Sequence, residues 1–272
     1  MVLTFIGMGL HDPLDLSVKG VETAKRCDKV YVEHYTSLMP GFTIKDLEKL
    51  LKRKVEVLTR EDLEGEKGKK LVEEAKVKDV ALLTPGDPFI ATTHVTLRLA
   101  AKKAGVEARV IHSSSIATAA PGLVGLSFYK FGKTATVVYP EPGYYPETPY
   151  DVLKENLRRG LHTLLVLDLK VERGLYMSIP EALQILLSIE ERRLEKVLDL
   201  NTLVVGIARA GSLSPTVKAG SIERLMKISF GPPPHSLIFP GRLHFIEEEA
   251  LIELCEAPRD VIEKHKAKFT AP

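Results

Sequence analysis

The sequence predicts an α/β protein, with a parallel, doubly wound sheet in its first half and a second α/β domain after it. Three observations carry this reading. Short β-branched runs alternate with amphipathic helical patterns along the first half, which is the signature of strand–helix–strand units. Val80-Ala81-Leu82-Leu83-Thr84 is apolar almost throughout, as expected of a strand covered on both faces. The second half opens differently, on a Pro- and Tyr-rich stretch, before strand and helix patterns resume.

In chain order, residues 3–6 read as the first strand and 16–27 as a helix that Asp12 or Asp15 can cap. Residues 30–32 are the second strand. Ile44, Leu47, Leu50 and Leu51 fall at helical spacing, and 55–58 return as a strand. Residues 60–70 are charged and exposed, and 71–76 are helical. Residues 80–84 form the fourth strand, 95–104 a helix stopped by Gly105, and 108–111 the fifth strand. Residues 110–129 carry no formal charge and approach the length of a membrane span. Ser113, Ser114, Ser115, Pro121 and Gly125 make them a poor lipid-facing surface, so they read as a buried loop and helix.

The second half starts with a strand at 134–139. Residues 140–150 hold four prolines and three tyrosines, so they read as an ordered loop or arm, suited to substrate contact, a dimer interface or plain surface. Helices follow at 151–159, 180–193, 222–226 and 245–254, and strands at 163–169, 203–208 and 236–239. The domain boundary is expected between Leu126 and Lys133, giving domains 1–128 and 129–272.

Composition narrows the function. A hydrophobic share of 44% and a charged share of 27% exclude wholesale disorder. Lys+Arg at 38 against Asp+Glu at 36 leaves a net charge of +2, without the basic excess of a nucleic-acid binder. Cys27 and Cys255 belong to no CxxC and read as reduced, buried thiols of a cytoplasmic protein. The start lacks a basic n-region and reads as no signal peptide. The eight histidines show no metal-ligand spacing. Ser113 to Ser115 form no GxSxG elbow, and Glu247-Glu248-Glu249 reads as a solvated helix turn. Asn156, Asn201 and Gln184 are the only amide side chains, a depletion typical of hot environments.

In an open parallel sheet, ligands collect beyond the carboxyl ends of the strands. Here strand one runs into Gly7-Met8-Gly9-Leu10, strand four into Pro85-Gly86-Asp87-Pro88-Phe89, and strand five into Ser113-Ser114-Ser115-Ile116. Each alone is a tight turn or cap; three on one edge point to a small ligand approached by backbone. Gly7-Met8-Gly9 with Glu33 as a ribose carboxylate suggests a dinucleotide, but the third glycine is missing and Pro13 intrudes. No GxxxxGK[ST] is present either. An adenosine-type ligand without phosphates fits better.

These three segments, together with residues 31–37, 112–125 and 232–241, resemble the tetrapyrrole-methylase superfamily of S-adenosylmethionine-dependent methyltransferases, over essentially the whole chain. Tetrapyrrole-acting relatives carry GxGPGD after strand one; Gly9-Leu10-His11-Asp12 here points to the protein-modifying branch. The resemblance implies two α/β domains with the cofactor in the interdomain cleft, a homodimer, and methylation to the trimethylammonium of the amino group on the modified histidine of elongation factor 2. Cofactor contacts implied by motif are Leu10, Asp87, Ile90, Ser115 and Ile116, with Leu169, Ala210 and His235 in the second domain. No metal and no catalytic base are implied. A tetrapyrrole C-methyltransferase and a non-catalytic adenosine-binding module stand as alternatives.

Overall fold

The first five strands, β1 (Val2–Gly7), β2 (Lys29–Val32), β3 (Glu56–Val57), β4 (Val80–Thr84) and β5 (Glu107–Ile111), pair in parallel in the order β3-β2-β4-β1-β5. The computed structural model describes residues 1–64 and 68–270; part of the charged segment expected at 60–70 therefore lies outside the described residues. The parallel pairing follows from burial on both faces. Leu3, Phe5, Tyr31, Val80 and Leu82 enter one apolar layer, while Ile6, Val30, Val32, Ala81 and Leu83 enter the other. Successive side chains of a strand point to opposite faces, so nearly every residue of β1, β2 and β4 must be apolar.

Helices α1 (Val18–Arg26), α2 (Ile44–Leu51), α3 (Arg60–Leu63), α4 (Gly68–Glu74) and α5 (Val95–Lys103) accompany this sheet. The cap of α1 differs from the expectation. Ser17 accepts from the Gly20 N–H there, and Asp12 instead caps the short 3-10 turn Pro13–Asp15. Asp15 folds the loop before it, as described below.

The chain divides into two units: Met1–Ile116 with Val171–Arg173, and Ala117–Lys170 with the chain from Gly174 onward. The second begins in α6 (Ile116–Val124) and continues through β6 (Ala135–Val137), α7 (Thr148–Arg158), β7 (Thr163–Leu167) and the hairpin β8 (Leu169–Lys170) and β9 (Leu175–Tyr176). Then come α8 (Ile179–Arg193), β10 (Leu203–Ala208), β11 (Thr216–Ser221), α9 (Ile222–Leu225), β12 (His235–Phe239), α10 (Phe245–Cys255) and α11 (Arg259–Thr270). Its sheet runs β11-β10-β12-β7-β6, with β6–β7 parallel and the other pairs antiparallel.

Two corrections concern this unit. α7 begins at Thr148, inside the stretch expected to be a loop. Pro149 sits in its first turn, where no intrahelical N–H is required, and Tyr150 is fully buried. Glu247 is not a solvated residue: it is buried in the first turn of α10. Cys27 and Cys255 are free and buried, as expected. Among the described residues no helix is long and apolar enough to cross a membrane, and no cluster of side chains could hold a metal ion.

Candidate functional site

β4, β1 and β5 are neighbours, so the loops that leave Gly7, Thr84 and Ile111 lie side by side. Backbone bonds join the first two: Met8 N donates to Thr84 O at 2.8 Å, and Gly86 N donates to Gly9 O at 2.7 Å. Gly9 has φ +83°, and a Cβ there would lie 2.2 Å from the Asp15 Cβ. A Cβ on Gly7 would lie 2.5 Å from Gly86 O and 2.7 Å from the Ser113 Cβ. Gly7 accepts no side chain because three loops converge on it, and Gly9 accepts none because Asp15 of its own loop packs against it. Asp15 Oδ2 accepts from the N–H groups of Leu10 at 2.9 Å and His11 at 2.7 Å, which fixes the turn.

Asp87 is buried, and its carboxylate is fully engaged. Oδ1 accepts from Phe89 N at 3.1 Å; Oδ2 pairs with His112 Nδ1 at 2.7 Å and Ser113 N at 3.4 Å. Asp87 therefore ties the loop after β4 to the loop after β5. Ile90 N bonds back to Asp87 O, and the Ile90 side chain is exposed. Ala91 beside it holds φ +56°, a conformation that L residues adopt at local cost and that gathers at functional loops. Ser115 is buried, and Ile116 opens α6 half-buried.

In the second unit, register brings the other three expected residues together. Ala208 pairs with His235 and Ser236 with Val166, so the end of β10, the start of β12 and the end of β7 share one sheet edge. Ala210 lies two residues past β10, and Leu169 two past β7. Arg209, at φ +54°, sits just before Ala210. Its guanidinium donates to Phe230 O at 2.8 Å, Pro232 O at 2.6 Å and Thr216 Oγ1 at 2.7 Å, tethering the loop that carries His235. The His235 ring is buried, which lowers its pKa, and its Nδ1 meets no protein partner.

Glu33, weighed as a ribose carboxylate, turns inward instead. It is fully buried and accepts from Tyr35 N at 3.0 Å, Thr36 N at 3.2 Å and Thr36 Oγ1 at 2.7 Å. Burial drives its pKa up to about 7 against these bonds. A side chain closed on its own turn cannot hold a ribose.

The chemistry of the first edge suits a phosphate-free nucleoside. No lysine or arginine occurs in residues 7–10, 85–90 or 113–116, so nothing there neutralises a phosphate. A Cβ built on Gly86 meets nothing within 4 Å, leaving room for a ligand against its backbone. In the other unit, His235 Nδ1 is buried without a hydrogen-bond partner.

Comparison with known proteins follows the same line. Residues 2–225 match the family model for Tetrapyrrole (Corrin/Porphyrin) Methylases. The chain belongs to the tetrapyrrole methylases. It is 49% identical over 255 residues to a diphthine synthase of Methanococcus vannielii, covering 94% of this chain and 99% of the relative. A diphthine synthase of Methanocaldococcus jannaschii is 47% identical over 257 residues, with the same coverage. A solved structure described as diphthine synthase superposes with a TM-score of 0.88 at 42% identity, covering 97% of this chain and 99% of that one. Two residues of the edges escaped the sequence reading: His112, one of eight scattered histidines, and Arg209. His112 was findable, since it directly follows a strand of the parallel sheet. Arg209 was not, because its backbone conformation has no sequence signature.

Proposed function

We propose that the chain is an S-adenosylmethionine-dependent methyltransferase of diphthamide biosynthesis, methylating to the trimethylammonium the amino group on the modified histidine of elongation factor 2. The observation that carries this reading is identity of 47–49% to diphthine synthases over nearly the full length of both chains. Leu10, Asp87, Ile90, Ser115 and Ile116 from the first unit, with Leu169, Ala210 and His235 from the second, hold the cofactor. The enzyme works in the cytoplasm as a homodimer.

When bound, S-adenosylmethionine supplies an activated methyl whose leaving group departs as a neutral thioether. At the methyl itself the chain's residues position and shield. The Gly9–Gly86 backbone bridge and the Asp15-braced turn fix the first edge rigidly. Arg209 fixes the second through three hydrogen bonds. Holding donor and acceptor nitrogen in line supplies most of the acceleration such a displacement requires.

The test is transfer of a radiolabelled methyl from S-adenosylmethionine to purified elongation factor 2 bearing the aminocarboxypropyl histidine. Label in the protein band supports the reading. Cofactor binding without label in the factor overturns it, and label in a tetrapyrrole instead assigns the chain to the small-molecule branch.

A further inference from the structure

The methyl transfer proposed above leaves one chemical requirement without a residue. An ammonium has no lone pair, so the acceptor nitrogen must lose a proton for each methyl it gains. We propose that His112 accepts that proton through its Nε2, oriented by Asp87; the inference rests on the proposed methyl transfer.

Among the described residues, three histidines stand within 4 Å of a carboxylate. His94 approaches Glu33 at 3.7 Å and His162 approaches Glu247 at 3.1 Å, with side chains 1% and 0% exposed. Neither can meet a protein-borne amine or pass a proton to water. His112 pairs with Asp87 at 2.7 Å, and its side chain is 73% exposed while that of Asp87 is 8% exposed. A carboxylate only accepts, so Asp87 places the ring proton on Nδ1 and leaves the Nε2 lone pair outward. Asp87 is itself fixed by Phe89 N and Ser113 N. The ring therefore stands on a braced carboxylate at the strand ends that carry Asp87, Ser115 and Ile116. An imidazole with one nitrogen held by a buried carboxylate and the other free is an oriented general base.

The step balances. The proton of the acceptor ammonium moves to Nε2, and the freed nitrogen lone pair attacks the methyl carbon. The C–S bond breaks with its electron pair going to sulfur, and the imidazolium then gives its proton to water. Exposure is what repeated methylation requires, since the base must be emptied before each further transfer.

The experiment compares wild type with His112→Gln and His112→Ala at saturating S-adenosylmethionine, with elongation factor 2 bearing the aminocarboxypropyl histidine as acceptor. Affinity for S-adenosylhomocysteine is measured in parallel by calorimetry. Both variants are expected to transfer about 100-fold more slowly at pH 7, with cofactor affinity within about twofold of wild type. The shape of the pH–rate profile is expected to differ between wild type and the variants, whose rate keeps rising with hydroxide concentration. Added imidazole restores part of the rate of His112→Ala. Retained transfer in the variants overturns the role of His112. So does a loss explained by weaker cofactor binding, or a loss with the pH profile unchanged and no rescue. A wild-type chain that binds cofactor but never labels the factor overturns the substrate reading, and this role with it; only in that case is the wild type silent.

Discussion

Among the described residues each unit buries one glutamate, and the two carboxyls end in opposite states. Glu33, just past β2, is fully buried, as is Glu247 in the first turn of α10 to within 4%. Burial alone raises the pKa of both. Around Glu33 the compensation is local: its own turn donates from Tyr35 and Thr36. Among the described residues no lysine or arginine lies within 4 Å of it, and burial keeps the nearby His94 neutral. Its pKa rises to about 7. Around Glu247 the compensation comes from four places in its unit. Lys130 pairs with it, Ser127 N donates at 2.9 Å, His162 Nε2 stands at 3.1 Å, and His244 N donates at 2.8 Å. These outweigh burial and hold it down to about 2. Desolvation sets the sign of the starting shift; a full cation with several donors reverses it.

The strongest way to break this comparison is to remove the reversed carboxylate. Glu247→Ala leaves the Lys130 ammonium and the buried His162 without their partner and strips the cap from α10. A cost of about 4 kcal/mol in unfolding free energy is expected, read as a lowered denaturant midpoint. A loss below about 1 kcal/mol would mean that the network does not hold α10 against Ser127 and Lys130.

Glu33 sharpens the comparison through pH. A carboxyl whose folded pKa lies above its unfolded value binds its proton more tightly in the native state. It therefore favours folding most below the unfolded value of ~4.3, and that contribution disappears as pH rises through about 7. The window is worth up to about 3 kcal/mol. Glu247 behaves oppositely: its contribution is present above the ordinary carboxylate range and lost as pH falls toward 2. Urea unfolding of wild type and Glu33→Gln at pH 5 and pH 8 separates the two. Wild type should lose stability relative to Glu33→Gln on going to pH 8. An equal difference at both pH values would place the Glu33 pKa at its ordinary value.

The same contrast explains what the sequence revealed. The parallel sheet was legible because it is covered on both faces, so β1, β2 and β4 announce themselves as apolar runs. The loops after β1 and β4 were legible through their glycines: Gly7 and Gly9 leave no room for a Cβ, and Gly9 and Gly86 hold positive φ. The second unit is less transparent. β11 carries Lys218 and Gly220 on an edge of its sheet, where the apolar alternation fades. α11 buries Ile262 and His265 amid lysines and glutamates. Neither segment stood out. Glu247 sat in a run of three acids that only tertiary contacts distinguish from a solvated turn. Nothing local in Glu33 or Glu247 tells which will be paired, because the partners of Glu247 lie up to 120 residues away.

The smallest effect separates folding from binding at the first edge. Gly9 and Gly86 both hold positive φ, at +83° and +65°, and their backbones bond to each other. They differ in what surrounds them. A methyl on Gly9 would strike Asp15, so Gly9→Ala combines backbone strain with overpacking and costs stability as well as function. A methyl on Gly86 meets no protein atom within 4 Å, so Gly86→Ala carries only the left-handed backbone penalty of about 1 kcal/mol. It should fold with nearly the wild-type midpoint. The added methyl, however, enters the open space against which the proposed cofactor lies, so calorimetry with S-adenosylhomocysteine should show affinity weakened at least about tenfold, equivalent to about 1.4 kcal/mol. A Gly86→Ala chain that keeps both its midpoint and its affinity would move the cofactor away from this loop, while leaving the Gly9–Asp15 turn as a purely architectural feature.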